Sequence, residues 1–260
     1  MEKKLALLNS ASVLFVIIIN YASQALRLNN TTIGEISKQY DNLFTPAGYA
    51  FAIWGIIFLS LIAYAIFQIR SAFFNEKSNE FILQTGYWFT ITNLLNGLWV
   101  FAFVYDYTGL SVLIMFGILA SLTKIVLNTN MERSQVSFSE KAFKYWPISI
   151  YFGWVAVATI ANIAAYLSKL NWEVGFLSPP QWTIIMISIA FLLNIIVLWR
   201  RNMIVFSLVG VWSLFAIYSR HNTTEEDIAT TALVCAILLT FITVFRVFSN
   251  AKKIKTIPTI

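Results

Sequence analysis

Most residue types that build soluble active sites are scarce in this chain. Its 260 residues include one cysteine and one histidine, and only 12% are charged. A lone cysteine, Cys235, makes no disulfide framework and no thiolate metal site. A lone histidine, His221, gives no bis-histidine haem ligation and no His-rich metal centre. It falls in a gap between apolar runs and reads as a solvated loop residue. No Gly/Ser or Pro-rich linker separates soluble units, because prolines number five and glycines ten. No Asp or Glu lies inside any long apolar run. A charge at bilayer centre costs about 2.5–3.5 kcal/mol or more and is kept where it is used. Its absence argues against ion-coupled pumping and against buried carboxylate catalysis.

Apolar surface is what the chain has instead. Hydrophobic residues fill 58% of positions, and a spanning helix needs roughly 20 mostly apolar residues. Eight runs qualify, at about Leu5–Ala25, Pro46–Ile69, Phe81–Val104, Leu110–Asn128, Pro147–Leu167, Trp182–Trp199, Met203–Ser219 and Ile228–Phe248. The fold class is therefore all-α, a polytopic membrane helix bundle. The gaps sort by charge. The terminal and even-numbered gaps hold 14 of the 18 Lys and Arg residues, and the opposite side holds Arg27, Lys38, Lys169 and Arg220. That bias places both termini in the cytoplasm, in a bacterial inner (plasma) membrane. The net charge of +6 then reflects topology and anionic-lipid attraction, not nucleic-acid binding. Lys3, Lys4 and the apolar run after them also resemble a secretory signal peptide, but the run is long for one. Pro179-Pro180 breaks the chain between a five-helix front, residues 1–172, and a three-helix back with a basic tail, residues 173–260.

Three runs carry aromatic and amide side chains at helical spacing. Ala47, Phe51, Trp54 and Phe58 share one stripe; Thr92, Asn96, Trp99 and Phe103 share another; Tyr151, Trp154, Ala158 and Asn162 share a third. A rise of about 1.5 Å per residue puts Trp54, Asn96 and Trp99 roughly 8–15 Å below the outer surface. Together they would line an apolar cleft with a few hydrogen-bonding groups, the usual make-up of a small-molecule site. Flat aromatic walls suit a flat ligand. The bland alternative is plain helix packing, which uses the same residues.

The motifs resemble those of the TspO/MBR family, the tryptophan-rich sensory or translocator proteins. Pro46, Gly48, Tyr49, Phe51 and Trp54 answer a second-helix motif of the type PPGWVFxxVW. Leu95, Asn96, Gly97, Leu98 and Trp99 match LNALW, and Tyr151, Trp154, Val155, Ala158, Thr159 and Asn162 answer PYLAWVSFATYLN. The likeness covers about Met1–Trp172, with Thr45, Tyr49, Ile150 and Phe58 departing from the pattern. It implies a five-helix unit, extended here by three helices. It also implies a receptor, sensor or carrier for porphyrin-like or sterol-like ligands, in a pocket closed by the first long loop. Transport of an amphipathic or uncharged solute and light-dependent tetrapyrrole breakdown are the alternatives. By position the pocket residues would be Tyr49, Phe51, Trp54, Asn96, Trp99, Tyr151, Trp154 and Asn162. Arg27 and Lys38 are the only cations in the loop Arg27–Phe44 and would pair with ligand carboxylates. The expected partners are a small apolar ligand and membrane lipids, with a non-covalent porphyrin as the candidate cofactor. The lone histidine favours a metal-free ring.

Overall fold

The computed structural model describes residues 1–74, 79–133, 136–172 and 177–255, with backbone alone for 251–255. Lys77 and the front-to-back junction at residue 173 lie outside the described residues. All regular structure among the described residues is helical. In chain order the helices are α1 Glu2–Ala25, α2 Ile33–Gln39, α3 Ile53–Phe74, α4 Glu80–Thr85, α5 Trp88–Val104, α6 Thr108–Asn128, α7 Phe138–Glu140, α8 Trp146–Lys169, α9 Pro179–Arg201, α10 Ile204–His221 and α11 Glu226–Lys255.

Seven segments are long and apolar enough to cross a membrane, and α5 is a shorter apolar helix of 17 residues. The expected run Phe81–Val104 is thus broken. Gly86 adopts φ +56° and stops α4, a conformation that costs glycine little and other residues more. The remaining 17 residues of α5 span about 25 Å at the helical rise, the low end of a membrane crossing. Elsewhere the runs lengthen at capped ends. Ser178 accepts from the Gln181 amide in a capping box, and Pro179 and Pro180 occupy the first helical turn of α9, where a missing N–H costs nothing.

The bundle is inside-out relative to a soluble protein. Leu14, Leu59, Leu113 and Phe241 are each more than 60% exposed. Asn9, Gln68, Asn93, Asn96 and Asn162 are buried. Polar groups taken out of lipid must find partners inside, and each of these side chains makes at least one such bond. Asn9 Nδ2 donates to Gln68 Oε1 at 2.8 Å, and Thr90 Oγ1 donates to Asn9 Oδ1 at 2.7 Å. Asn93 Nδ2 donates to Ser12 Oγ at 3.0 Å, and Asn20 Nδ2 donates to Asn96 Oδ1 at 2.9 Å. These bonds tie α1 to α3 and α5, so the first helix is an integral member of the bundle. The chain is an integral membrane protein.

The front and back helices share a core. Met203 at the N-cap of α10 and Phe206, Val209 and Ala216 within it belong to the same apolar cluster as Trp154 and Tyr151 of α8. The approach is close because Gly153 has no side chain. A Cβ there would sit 3.0 Å from Val209 Cβ and 3.1 Å from the Phe206 carbonyl oxygen. The rings of Phe152 and Phe206 meet edge-on at 5.0 Å. A second cluster joins Phe44, Val157 and Ala164 to residues of α9, α10 and α11.

Candidate ligand-binding cleft

From Pro46 the chain descends through a 3-10 turn, Gly48–Ala52, before α3 proper begins. Above that turn lies α2. Thr32 caps it, accepting from the Glu35 amide while the Glu35 carboxylate accepts from the Thr32 amide, which satisfies two otherwise orphaned donors. Between this lid, α1 and the start of α3 is a cleft of about 970 Å³. Ile17, Asn20, Tyr21 and Gln24 of α1 form one wall. Phe51, Trp54 and Phe58 form the other, with Trp54 and Phe58 stacked at 5.3 Å. Lys38 and Ser37 come from the lid.

Phe51, Trp54, Thr45, Pro46, Ile33 and Ser37 also line a second, inner hollow. Its other walls include Asn96, Trp99 and Phe103 of α5 and Trp154, Ala158 and Asn162 of α8. Only about 50 Å³ is open there, room for little more than a water molecule or two. The helices are joined around it by hydrogen bonds. Trp99 Nε1 donates to Asn162 Oδ1 at 2.8 Å, and Asn162 Nδ2 donates to Ser111 Oγ of α6 at 2.8 Å. Trp99 stacks on Phe103 at 5.2 Å, and Phe51 meets Trp154 edge-on at 5.8 Å. One donor is left over. Trp154 Nε1 is buried without a hydrogen-bond partner among the described residues, whereas buried polar groups in native proteins nearly always have one.

The ten candidates are therefore not all together. Phe51, Trp54, Lys38, Asn96, Trp99, Trp154 and Asn162 line the two adjoining hollows. Tyr151 stands behind, fully buried, with its ring 6.0 Å from that of Trp54. Tyr49 lies outside the lining, 42% exposed, and meets Trp212 of α10 edge-on at 5.3 Å. The 3-10 turn changes the angular step per residue and carries it there. Arg27 is also outside the lining. Its guanidinium is paired with Glu35 at 2.8 Å, and that bond, more than any other contact, holds the Glu35 carboxyl below the usual carboxylate range.

Sequence reading missed contributors from two places. Asn20, a polar residue within the first apolar run, was a legible signal of an inward-facing position. Arg220 and His221, at the end of α10, gave none. His221 is not a solvated loop residue: it is 3% exposed, and its Nε2 lies 2.8 Å from the Leu43 carbonyl oxygen. The Asp41–Phe44 turn folds back on it.

The family model described as TSPO-like protein matches residues 6–245. The match runs past Trp172 and into α11, so it covers the back helices as well as the motif-bearing front. No curated protein and no solved structure matches the chain.

Proposed function

This chain belongs to the TSPO-like protein family, and we propose that it is a membrane receptor, sensor or carrier for a flat, largely apolar ligand of porphyrin-like or sterol-like shape. One observation supports this above the rest. A cleft of about 970 Å³ with a stacked Trp54–Phe58 wall adjoins a chamber lined by Trp154, whose buried Nε1 has no hydrogen-bond partner among the described residues. The volume is at the upper end of the range for small-molecule sites. The ring system lies against the aromatic wall, and an acceptor on its leading edge meets Trp154 Nε1 after a small shift of Phe51 and Trp54. A metal-free porphyrin fits these residues: the wall supplies flat contact, and Lys38 supplies a cation at the rim. In the proposed orientation both termini are cytoplasmic, and the cleft faces the extracytoplasmic leaflet, as the charge bias demands.

Titrating the purified protein with protoporphyrin, followed by the ring's visible absorption, tests the reading. Binding saturates at one equivalent and weakens about tenfold in Trp54→Ala, the loss expected when a central aromatic contact is removed. Affinity unchanged in both Trp54→Ala and Trp99→Ala would remove the cleft from consideration.

A further inference from the structure

The cleft has one charged wall residue that comes from neither the lid nor the motif-bearing helices. Arg220 closes α10, and its side chain lines the hollow beside Lys38 and Asp41. These are the three charged residues among those that line the hollow, two cations and one anion.

Arg220 holds the lid. Its Nη1 donates to the carbonyl oxygens of Asn42 at 3.0 Å and Thr45 at 2.7 Å, and its Nη2 donates to Asp41 Oδ1 at 2.6 Å. Behind it the Ala47 amide donates to the Ala216 carbonyl at 3.1 Å, and His221 Nε2 meets the Leu43 carbonyl. The last turn of α10 thus fastens the chain from Asp41 to Ala47, which is the rim of the cleft. The fastening is unequal. The two carbonyl bonds point into the structure, and the Arg220 side chain is 23% exposed, while Asp41 is 65% exposed and contributes a single oxygen. A guanidinium carries five N–H donors. Three are used here, and the remaining two have no partner among the described residues. Guanidinium N–H pairs match a carboxylate two to two, so this site is half-filled by its own side chain.

We propose that Arg220 recognises an acidic head group on the ligand, and that this head group displaces Asp41 and releases the rim from α10. The proposal rests on the cleft being a ligand site, and it narrows the ligand to an amphipathic acid. The apolar body packs on Trp54 and Phe58, and the acid points to the lid. Lys38, which has no ion partner among the described residues, is the second cation for that acid. Arg220 is a specificity residue supplied by the back helices, and it couples occupancy of the cleft to the position of α10.

Protoporphyrin, with two carboxylates, and its dimethyl ester, with the same ring and none, separate the two ideas. The measured quantity is the ratio of their affinities, which cancels changes in fold or lid stability common to both. In Asp41→Asn the ratio shifts about fivefold toward the acid, and in Arg220→Gln about fivefold toward the ester, the size of one partly exposed ion pair. Arg220→Lys keeps the charge, loses the fork and falls between. Asp41→Asn removes only an exposed oxygen's charge, so it decides the matter even if Arg220→Gln does not fold. A ratio unchanged in Asp41→Asn, with both compounds still bound, would overturn the role of Arg220 and leave the cleft standing. Neither compound binding the unaltered protein would overturn both.

Discussion

Replacing Asn162 by alanine gives a sharp test of how the bundle is held together. Asn162 is 4% exposed and bridges three helices, accepting from Trp99 Nε1 of α5 and donating to Ser111 Oγ of α6. Its two bonds have unequal backing. Ser111 Oγ also donates to the Thr108 carbonyl at 2.6 Å, so it keeps its own donor bond when Asn162 goes. Trp99 Nε1 has no second acceptor among the described residues. Interhelical hydrogen bonds within membranes contribute about 0.6 kcal/mol on average and at most about 1.7. Leaving a buried donor unpaired costs about 1–3 kcal/mol. Asn162→Ala should therefore destabilise by about 1–3 kcal/mol in detergent-mediated unfolding, most of it through the Trp99 indole. Trp99→Phe keeps the stacking on Phe103 and removes the N–H, so a double-mutant cycle isolates the bond. The coupling should be about 0.6–1.7 kcal/mol. A coupling of zero, or an Asn162→Ala protein as stable as the parent, would show that the amide is bystander packing.

Gly153→Leu should destabilise by about 1–3 kcal/mol through overpacking, because even a Cβ meets Val209 and the Phe206 carbonyl. Gly55→Ala is its control, with nothing within 4 Å of the added atom; thermal melts should show it neutral or better. The lid should respond to acid in a defined direction. The Arg27 hydrogen bond lowers the Glu35 pKa from its ordinary 4.5, so the stabilisation is present above that value and is lost as pH falls through the lowered one. Hydrogen exchange across Ile33–Gln39 should stay slow down to about pH 4.5 and quicken below it, with Arg27→Gln moving the change to higher pH. For orientation, a membrane-impermeant maleimide should label Lys38→Cys but not Ser137→Cys in intact cells carrying Cys235→Ser; the opposite pattern would invert the topology.

Much of the architecture was readable because lipid imposes simple rules. Apolar length marked the spans, and aromatic spacing marked the faces that Phe51, Trp54, Trp99 and Trp154 present to one another. Where reading failed, the controlling feature was local geometry or a distant partner. Gly86 breaks the third run at a single backbone position. Tyr49 turns toward Trp212 because the chain around it is a 3-10 turn and not an α-helix. Arg220 and His221 bond to a segment some 175 residues earlier, a pairing to which no periodicity points. The amide partnerships are similar: Asn96 and Asn162 stood out as polar residues in apolar runs, but Asn20 and Ser111 as their partners follow only from packing.

The polar contacts of α1 also bear on how the protein is made. Asn9 bonds to a residue 59 positions later, Asn20 to one 76 later, and Ser12 to one 81 later. Synthesis runs from the amino terminus, so α1 leaves the ribosome long before Gln68, Asn93 and Asn96 exist. The polar side chains of α1 depend on later helices, and the short α5 supplies most of their partners. A nascent chain halted just short of Thr90 would hold α1 to α3 through Asn9 and Gln68, and the following few residues would add the bonds to Thr90, Asn93 and Asn96.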